Sequence, residues 1–142
     1  MQITHQADYA IRTMYYLARL EANKKVATSQ IAEEYRIPAS FLTKIISQLS
    51  VAGLIQTSRG AHGGVTLARA PETISLLDVL VAIDGPVALN ECVDDPNSCP
   101  FNADCVLHQF WSDASEELIN RLKTTTYDKL VKAGDLASVL TI

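Results

Sequence analysis

The sequence predicts a mainly α-helical protein that carries one small β-hairpin. Two observations support this class: apolar residues recur at helical spacing along most of the chain, and one glycine-rich stretch separates two short β-forming runs. In addition, 48% of the residues are hydrophobic. That hydrophobic content is sufficient for a packed core. The length of 142 residues fits one domain, or a small domain with an appended dimerisation element.

The first two helices are predicted from their caps and their apolar spacing. Thr4 suits the N-cap of a first helix over about residues 5–21. After the polar break at residues 23–25, Thr28 is expected to cap a short second helix that ends at Tyr35.

The third helix has the clearest apolar stripe in the chain. Pro38 suits the first position of a helix over about residues 39–52, and Gly53 is expected to end it. The stripe follows the spacing i, i+3, i+4, i+7 and consists of Leu42, Ile45, Ile46 and Leu49.

The polar face of this third helix carries candidate DNA contacts. Its side chains are small or form hydrogen bonds, which suits the reading of base edges and phosphates. The candidates are Ser40, Thr43, Lys44 and Gln48. By itself the same face also fits an ordinary solvent-exposed surface.

A glycine-rich hairpin follows the third helix. Residues 54–58 and 65–68 predict two strands around a turn that contains Gly60, Gly63 and Gly64. A hairpin directly after a two-helix unit predicts a winged helix-turn-helix, in which Arg59 can enter a narrow minor groove. A mobile turn is the alternative. A nucleotide-binding loop is disfavoured because the pattern GxxxxGK[ST] is absent and strands flank both sides.

The charge distribution is consistent with DNA binding, and the sequence lacks the marks of other protein classes. Residues 1–70 hold eight Lys and Arg against four Asp and Glu, a net charge of +4, whereas residues 71–142 hold four against twelve, a net charge of −8. No membrane-spanning run or signal peptide is visible, so we expect a cytoplasmic protein without membrane contact. Since no C-x-x-C pair, nucleophile–base set or cofactor-binding loop is found, we do not expect an enzyme.

The C-terminal half is predicted to add a loop and a dimerisation helix. Ser75 and Asp78 form a capping box for a helix that ends at Asp84, and residues 86–102 are expected to be an irregular acidic loop. The expected domains are therefore residues 1–84 for the winged helix-turn-helix, 85–102 for the loop, and 103–142 for dimerisation and a C-terminal helix.

The dimerisation helix is expected over about residues 103–123, and a last short helix over about 127–133. The three threonines at 124–126 separate the two helices. One side of the long helix is apolar and predicts a homodimer interface. It consists of Leu107, Phe110, Trp111, Ala114, Leu118 and Leu122.

All three cysteines of the chain lie close to one histidine, in the pattern C-x6-C-x5-C-x2-H. The four residues are Cys92, Cys99, Cys105 and His108. Thiolates and imidazole suit zinc or an iron–sulfur cluster. The tight C-x2-4-C knuckle of structural zinc sites is absent, which favours the larger cluster. The alternative is three buried or redox-inert cysteines beside a surface histidine.

Over nearly its full length the chain resembles the winged-helix iron–sulfur regulators that include IscR, NsrR and RirA. The matching stretches combine helix, wing and cysteine features, which makes the resemblance specific. They are residues 7–10, 16–18, 31–35, 37–38, 42–45, 49–55, 58–60 and 63–65, together with the three cysteines.

The resemblance implies a homodimer with crossed long helices that binds palindromic double-stranded operator DNA through its third helix and wing. It also implies an iron–sulfur cluster on the three cysteines that controls operator affinity. The sensed signal (redox state, nitric oxide, iron supply or cluster status) and the choice between repressor and activator stay open. The alternative is a winged-helix repressor without a cluster that binds zinc or senses thiol oxidation.

The fourth cluster ligand has two candidates. His108, three residues after Cys105, resembles the IscR arrangement and implies [2Fe–2S]; Asp8 resembles NsrR, where an aspartate of the partner subunit completes [4Fe–4S]. We favour His108 because its tether to Cys105 makes its placement entropically inexpensive. Asp8 also suits the positive end of the first helix, and His108 also suits packing beside Phe110 and Trp111.

Overall fold

The computed structural model describes residues 1–101 and 104–140, and it confirms the mainly helical class with one β-hairpin. Side chains of the last helix are described as far as Leu136. The elements in chain order are α1 (His5–Ala18), α2 (Thr28–Tyr35), α3 (Ala39–Val51), β1 (Ile55–Ser58), β2 (Gly64–Leu67), α4 (Leu76–Asp84), α5 (Glu91–Asp94), α6 (Val106–Thr124) and α7 (Tyr127–Leu140), with 3-10 turns at Pro71–Thr73 and Pro96–Ser98.

The N-cap of α1 is confirmed, and the caps of α2 and α3 differ from the prediction by one residue. Thr4 accepts a hydrogen bond from the backbone N–H of Ala7. Thr28 is the first residue of α2 and not its cap; the cap position is Ala27, without a side-chain hydrogen bond. Pro38 occupies the cap position of α3 and not its first turn, because its ψ of 135° is extended.

Residues with positive φ end the second and third helices and turn the chain after the first. The helix α1 ends at Ala18, three residues before its expected end, and the chain then turns through Asn23 at φ 65°. Arg36 closes α2 in the left-handed conformation at φ 53°. Gly53 follows α3 at φ 75°, as its predicted terminating role requires.

The hairpin is antiparallel and is joined to the helical body at Val26. Ile55 pairs with Leu67, and Ser58 pairs with Gly64. Val26 and Val65 exchange two backbone hydrogen bonds of 3.0 and 2.8 Å, which fixes the base of the hairpin against the body. A Cβ atom at Gly64 would lie 2.7 Å from the carbonyl oxygen of Val26, so only glycine fits there.

The segment after α4 is more ordered than the sequence predicted. The capping box of Ser75 and Asp78 and the end of α4 at Asp84 are confirmed. Residues 86–101, called the cysteine segment below, include the short helix α5 and a 3-10 turn, so the expectation of an irregular loop was wrong. Asn90 and Asp95 explain the difference, because their side chains accept hydrogen bonds from backbone N–H groups of residues 91 and 97.

The two C-terminal helices also differ from their predicted bounds. The long helix α6 begins at Val106, with Cys105 as its N-cap; residue 103, where the helix was predicted to begin, and residue 102, the predicted end of the loop, lie outside the described residues. The helix α7 continues to Leu140, well beyond the expected end at 133, and it packs against α1. Tyr127 is fully buried there and donates a hydrogen bond of 3.3 Å to the carbonyl of Ile11.

Two clusters of buried residues form the interior. The larger cluster lies among α1, α2, α3, the hairpin, α4 and Tyr127. The smaller one consists of Ala7, Leu80 and Val87 and is lined by partly buried residues of α6. The smaller cluster therefore connects α1, α4, the cysteine segment and the long helix. Within the described residues, no helix is both long and apolar enough to cross a membrane.

Candidate functional site

The helix α3 presents a polar face to solvent, as the sequence predicted. Its apolar stripe is buried, with Ile45 and Leu49 fully enclosed, and this orients the opposite face outward. Ser40, Thr43 and Lys44 are exposed on that face. The hydroxyl of Thr43 donates a hydrogen bond of 2.9 Å to the carbonyl of residue 39, so its methyl group and oxygen have a fixed direction.

Gln48 differs from the other candidates on α3 because its side chain is engaged within the protein. It is half-buried, and its Oε1 accepts a hydrogen bond from Nε2 of Gln6 on α1. Next to this pair, the rings of Tyr9 and Phe41 meet edge to face with centroids 6.1 Å apart. These two contacts fix α3 laterally against the start of α1.

Phe41 was missed by the sequence reasoning. Its side chain remains 44% exposed beside the polar candidates of α3. A large apolar residue within an amphipathic helix is normally assigned to the core, but position 41 lies off the stripe formed by residues 42, 45, 46 and 49. That offset was the signal that could have identified it.

The hairpin tip is exposed and carries Arg59 directly after β1. Arg59 and His62 are both exposed, and Gly60 takes φ 97°. A Cβ atom at Gly63 would lie 2.4 Å from the carbonyl oxygen of Ser58, so the tip requires glycine for its close backbone approach. This tight, exposed turn can bring an arginine close to another molecule.

The three cysteines and His108 line one cavity of about 360 Å³. Cys92 comes from α5, Cys99 follows the second 3-10 turn, and Cys105 with His108 comes from the start of α6. Cys105 is the N-cap rather than an interior residue of α6, and its carbonyl accepts the backbone N–H of His108 at 3.1 Å. The predicted cluster of side chains is thus brought to one place by three different elements.

The chemistry of this cavity is that of soft ligands. All three thiols are free and half-buried. The Nδ1 atom of His108 is buried and has no hydrogen-bond partner within the described residues. A buried polar atom without a partner is unfavourable unless a proton, a ligand or a metal satisfies it.

In the part of the chain that is described, no three His, Cys, Asp or Glu side chains are grouped closely enough to hold one metal ion. A single zinc ion needs all of its ligands at 2.0–2.3 Å from one point, whereas the ligands of an iron–sulfur cluster are divided between separate irons. Thiolates and an imidazole are ligands that either group accepts.

Asp8 lies apart from the cysteines within the chain. Its carboxylate accepts a hydrogen bond of 3.0 Å from Nε of Arg12 and forms an ion pair with it. Both residues line a different cavity, of about 420 Å³, beside Tyr15 and Tyr35. Of the two candidate fourth ligands, only His108 shares a cavity with the cysteines of its own chain.

The first turns of α6 expose an apolar surface. Val106 is 83% exposed, Leu107 64% and Phe110 60%, and Ser115 is the one fully buried residue of this helix. Phe110 stacks edge to face on Trp111, with centroids 5.1 Å apart. The half-buried Leu118 and Leu122 face the smaller core cluster instead. The predicted stripe is therefore divided, with its N-terminal half directed to solvent.

Comparisons with known proteins show which family the sequence matches. Residues 3–133 match the Rrf2 family, described as an iron-dependent transcriptional regulator. The HTH-type transcriptional regulator NsrR of Shouchella clausii is 33% identical over 142 residues, which cover 99% of this chain and 95% of the relative. These matches confirm the resemblance found in the sequence.

Solved structures extend the agreement to the fold. The oxidised form of Staphylococcus aureus CymR is 27% identical, with a TM-score of 0.74 over 92% of this chain and 96% of that one. T. potens IscR has a TM-score of 0.79 at 23% identity, over 96% of this chain and 90% of the other, and supports the fold alone.

Proposed function

The chain belongs to the Rrf2 family of iron-dependent transcriptional regulators, and from that membership we propose that it is a homodimeric DNA-binding regulator controlled by an iron–sulfur cluster. The observation that carries the cluster assignment is the cavity lined by all three free thiols and His108, whose buried Nδ1 finds no hydrogen-bond partner in the described part of the chain. We expect the protein to act in the cytoplasm, the compartment in which its DNA is found.

DNA binding is assigned to α3 and the hairpin tip. Ser40, Thr43 and Lys44 can contact base edges and phosphates, because they are exposed on the helix that follows the turn at residues 36–38. Arg59 is exposed at the wing and suits the minor groove. Gln48 is assigned a positioning role, since its side-chain oxygen already accepts a hydrogen bond from Gln6.

A second copy of the chain is the proposed cover for the exposed start of α6. Contiguous apolar side chains on a protein surface are typical of an interface, and a two-fold dimer would pair this face with itself. Two copies would then present two α3 helices, and the operator is expected to be a palindrome with half-sites at the matching spacing.

The cluster is assigned to Cys92, Cys99 and Cys105, with His108 as the favoured fourth ligand. When bound, an iron–sulfur cluster supplies a centre whose oxidation state, integrity or presence depends on redox conditions, iron supply or nitric oxide. With the cluster bound, the three cysteine thiolates would hold α5, the second 3-10 turn and the start of α6 together, and a nitrogen of His108 would be the remaining ligand. We favour [2Fe–2S] on this ligand set; Asp8 from a partner subunit with [4Fe–4S] is the other assignment.

Anaerobic purification followed by absorption and Mössbauer spectroscopy, with iron and sulfide counts, tests the cluster. A [2Fe–2S] spectrum that loses its nitrogen-ligated ferric signal in His108→Ala, but keeps it in the matched His5→Ala control, is expected. A [4Fe–4S] spectrum that is sensitive to Asp8→Ala would transfer the fourth position to Asp8. Cys99→Ala should abolish the cluster and change operator affinity; a variant with unchanged operator affinity would contradict the regulatory role.

A thiol-sensing regulator without a cluster is the second candidate. The three thiols are free and half-buried, and the similar Staphylococcus aureus CymR structure is of an oxidised form. In this case the protein is colourless, and a mild oxidant forms a sulfenate or disulfide that dithiothreitol reverses, with a reversible change in operator affinity.

A further inference from the structure

Residues 4–9, at the start of α1, contact both the end of α4 beside the cysteine segment and the helix α3. We call these residues the N-terminal link. They contact both the cysteine side and the DNA-binding side of the proposed regulator within one chain, and the role inferred from this goes beyond the ligand and DNA contacts assigned above.

On the cysteine side, the link is held by hydrogen bonds and by packing. The carboxylate of Asp84 accepts the side-chain hydroxyl of Thr4 at 2.7 Å and its backbone N–H at 3.3 Å. Asp84 is the last residue of α4, and Gly85, at φ 82°, turns the chain into the cysteine segment. Val87 of that segment is buried in one cluster with Ala7 of the link.

On the DNA side, the link is held by the two lateral contacts to α3. Nε2 of Gln6 donates a hydrogen bond to Oε1 of Gln48, and the ring of Tyr9 meets the ring of Phe41. Gln48 and Phe41 lie in α3, the helix that carries the candidate DNA contacts. A displacement of the link is therefore expected to change the position of α3 relative to bound DNA.

We propose that the N-terminal link transmits the state of the cysteine segment to α3, with Asp84 and Gln6 as its positioning residues. The proposal rests on the proposed function for the signal that is transmitted. Thr4 is the N-cap of α1, residues 5–9 are the start of this continuous helix, and Ala7 is fully buried, so a displacement at Thr4 is expected to be carried to Gln6 and Tyr9. A shift of the segment that follows Asp84 therefore reaches Gln48 through a short, continuous set of contacts.

A double-mutant cycle on operator affinity tests the link. The probe is a DNA duplex selected from a random-sequence library by the wild-type protein. Introduced alone into the wild-type protein, Cys99→Ala is expected to change the dissociation constant for this duplex by about tenfold or more. In the Asp84→Asn and Gln6→Ala backgrounds, the same substitution is expected to change it by less than about threefold.

Matched controls separate transmission from general destabilisation. Asp135→Asn is the control for Asp84→Asn and lies at an exposed position of α7. Gln2→Ala is the control for Gln6→Ala and lies at an exposed position before the link. Both controls should keep the full response to Cys99→Ala. A full response in Asp84→Asn and Gln6→Ala as well would overturn the link while the proposed function stands.

Hydrogen exchange measured without DNA tests the coupling of Asp84 to α3, and this test does not depend on the proposed function. Asp84→Asn should raise the exchange of backbone amides in residues 39–51 about threefold or more, and it should add little once Gln6→Ala is present. Unchanged exchange in α3 overturns the link. If Cys99→Ala leaves wild-type affinity unchanged while this exchange effect is present, the proposed regulation fails and the link remains.

Discussion

Replacing Ser115 with alanine removes the hydrogen bond that joins the cysteine segment to α6. The hydroxyl oxygen of Ser115 accepts the backbone N–H of Leu89 at 3.0 Å, and the serine is only 1% exposed. A buried donor that loses its partner costs about 1–3 kcal/mol. Leu89 is half-buried, so water can partly reach the freed N–H, and we expect the lower part of that range, about 1–2 kcal/mol.

The control for this prediction is Ser112→Ala on the same helix. Both substitutions gain the same helix propensity, about 0.5 kcal/mol, so their difference isolates the hydrogen bond. For a domain of this size, a loss of 1–2 kcal/mol corresponds to a Tm difference of about 3–8 °C. Protein concentration must be equal in all samples, because the stability of a dimer depends on it.

Thermal and denaturant unfolding, together with hydrogen exchange at Leu89, measure the effect. The amide of Leu89 should exchange about tenfold faster in Ser115→Ala, since 1.4 kcal/mol corresponds to a tenfold population change. Equal melting temperatures for Ser115→Ala and Ser112→Ala, with unchanged exchange at Leu89, would refute the reasoning that this bond fixes the cysteine segment.

Three further predictions concern α7 and the wing. A Cβ atom at Gly134 would clash with the hydroxyl of Tyr15. The change in the free energy of unfolding caused by Gly134→Ala, measured with denaturant, should therefore be more favourable by about 1 kcal/mol or more in a Tyr15→Phe background than in the wild type. Burial raises the pKa of Tyr127; its neutral form is favoured in the fold, so this stabilisation is present below about pH 10 and declines above it. The free energies of unfolding of wild type and Tyr127→Phe should therefore converge between pH 9 and pH 11, and a constant difference would contradict this. Arg59→Ala should weaken operator binding and lower the salt slope by about 1, whereas Lys132→Ala on α7 should change neither.

The helices α1 to α4 could be predicted because their signals are local. The capping box of Ser75 and Asp78, the terminating Gly53 and the stripe on α3 each act over one or two turns of chain, where sequence spacing determines contact. The errors at Thr28 and Pro38 were of one residue, which is the scale at which tertiary packing adjusts a helix end.

The features that were missed depend on partners far along the chain. The helix α7 extends past Gly134, an unfavourable helix residue, because it packs against α1 near Tyr15, more than a hundred positions earlier. Gln48 was predicted as a free polar side chain, but Gln6, 42 positions away, donates to it. The grouping of the three cysteines with His108 was accessible because all four lie within one short stretch of sequence.

The choice between His108 and Asp8 has a consequence for how the proposed signal travels. Asp8 is itself part of the N-terminal link, so a cluster ligated by Asp8 would act on α1 directly, and Asp84 would not be needed. With His108 as the ligand, the cluster would be bound only by the cysteine segment and α6, and on the proposed link the signal passes through Asp84 and Thr4. We therefore predict that His108→Ala and Asp84→Asn act on one route, so that the double variant changes operator affinity no more than the larger single effect. Additive effects in the same binding assay would favour the direct route through Asp8.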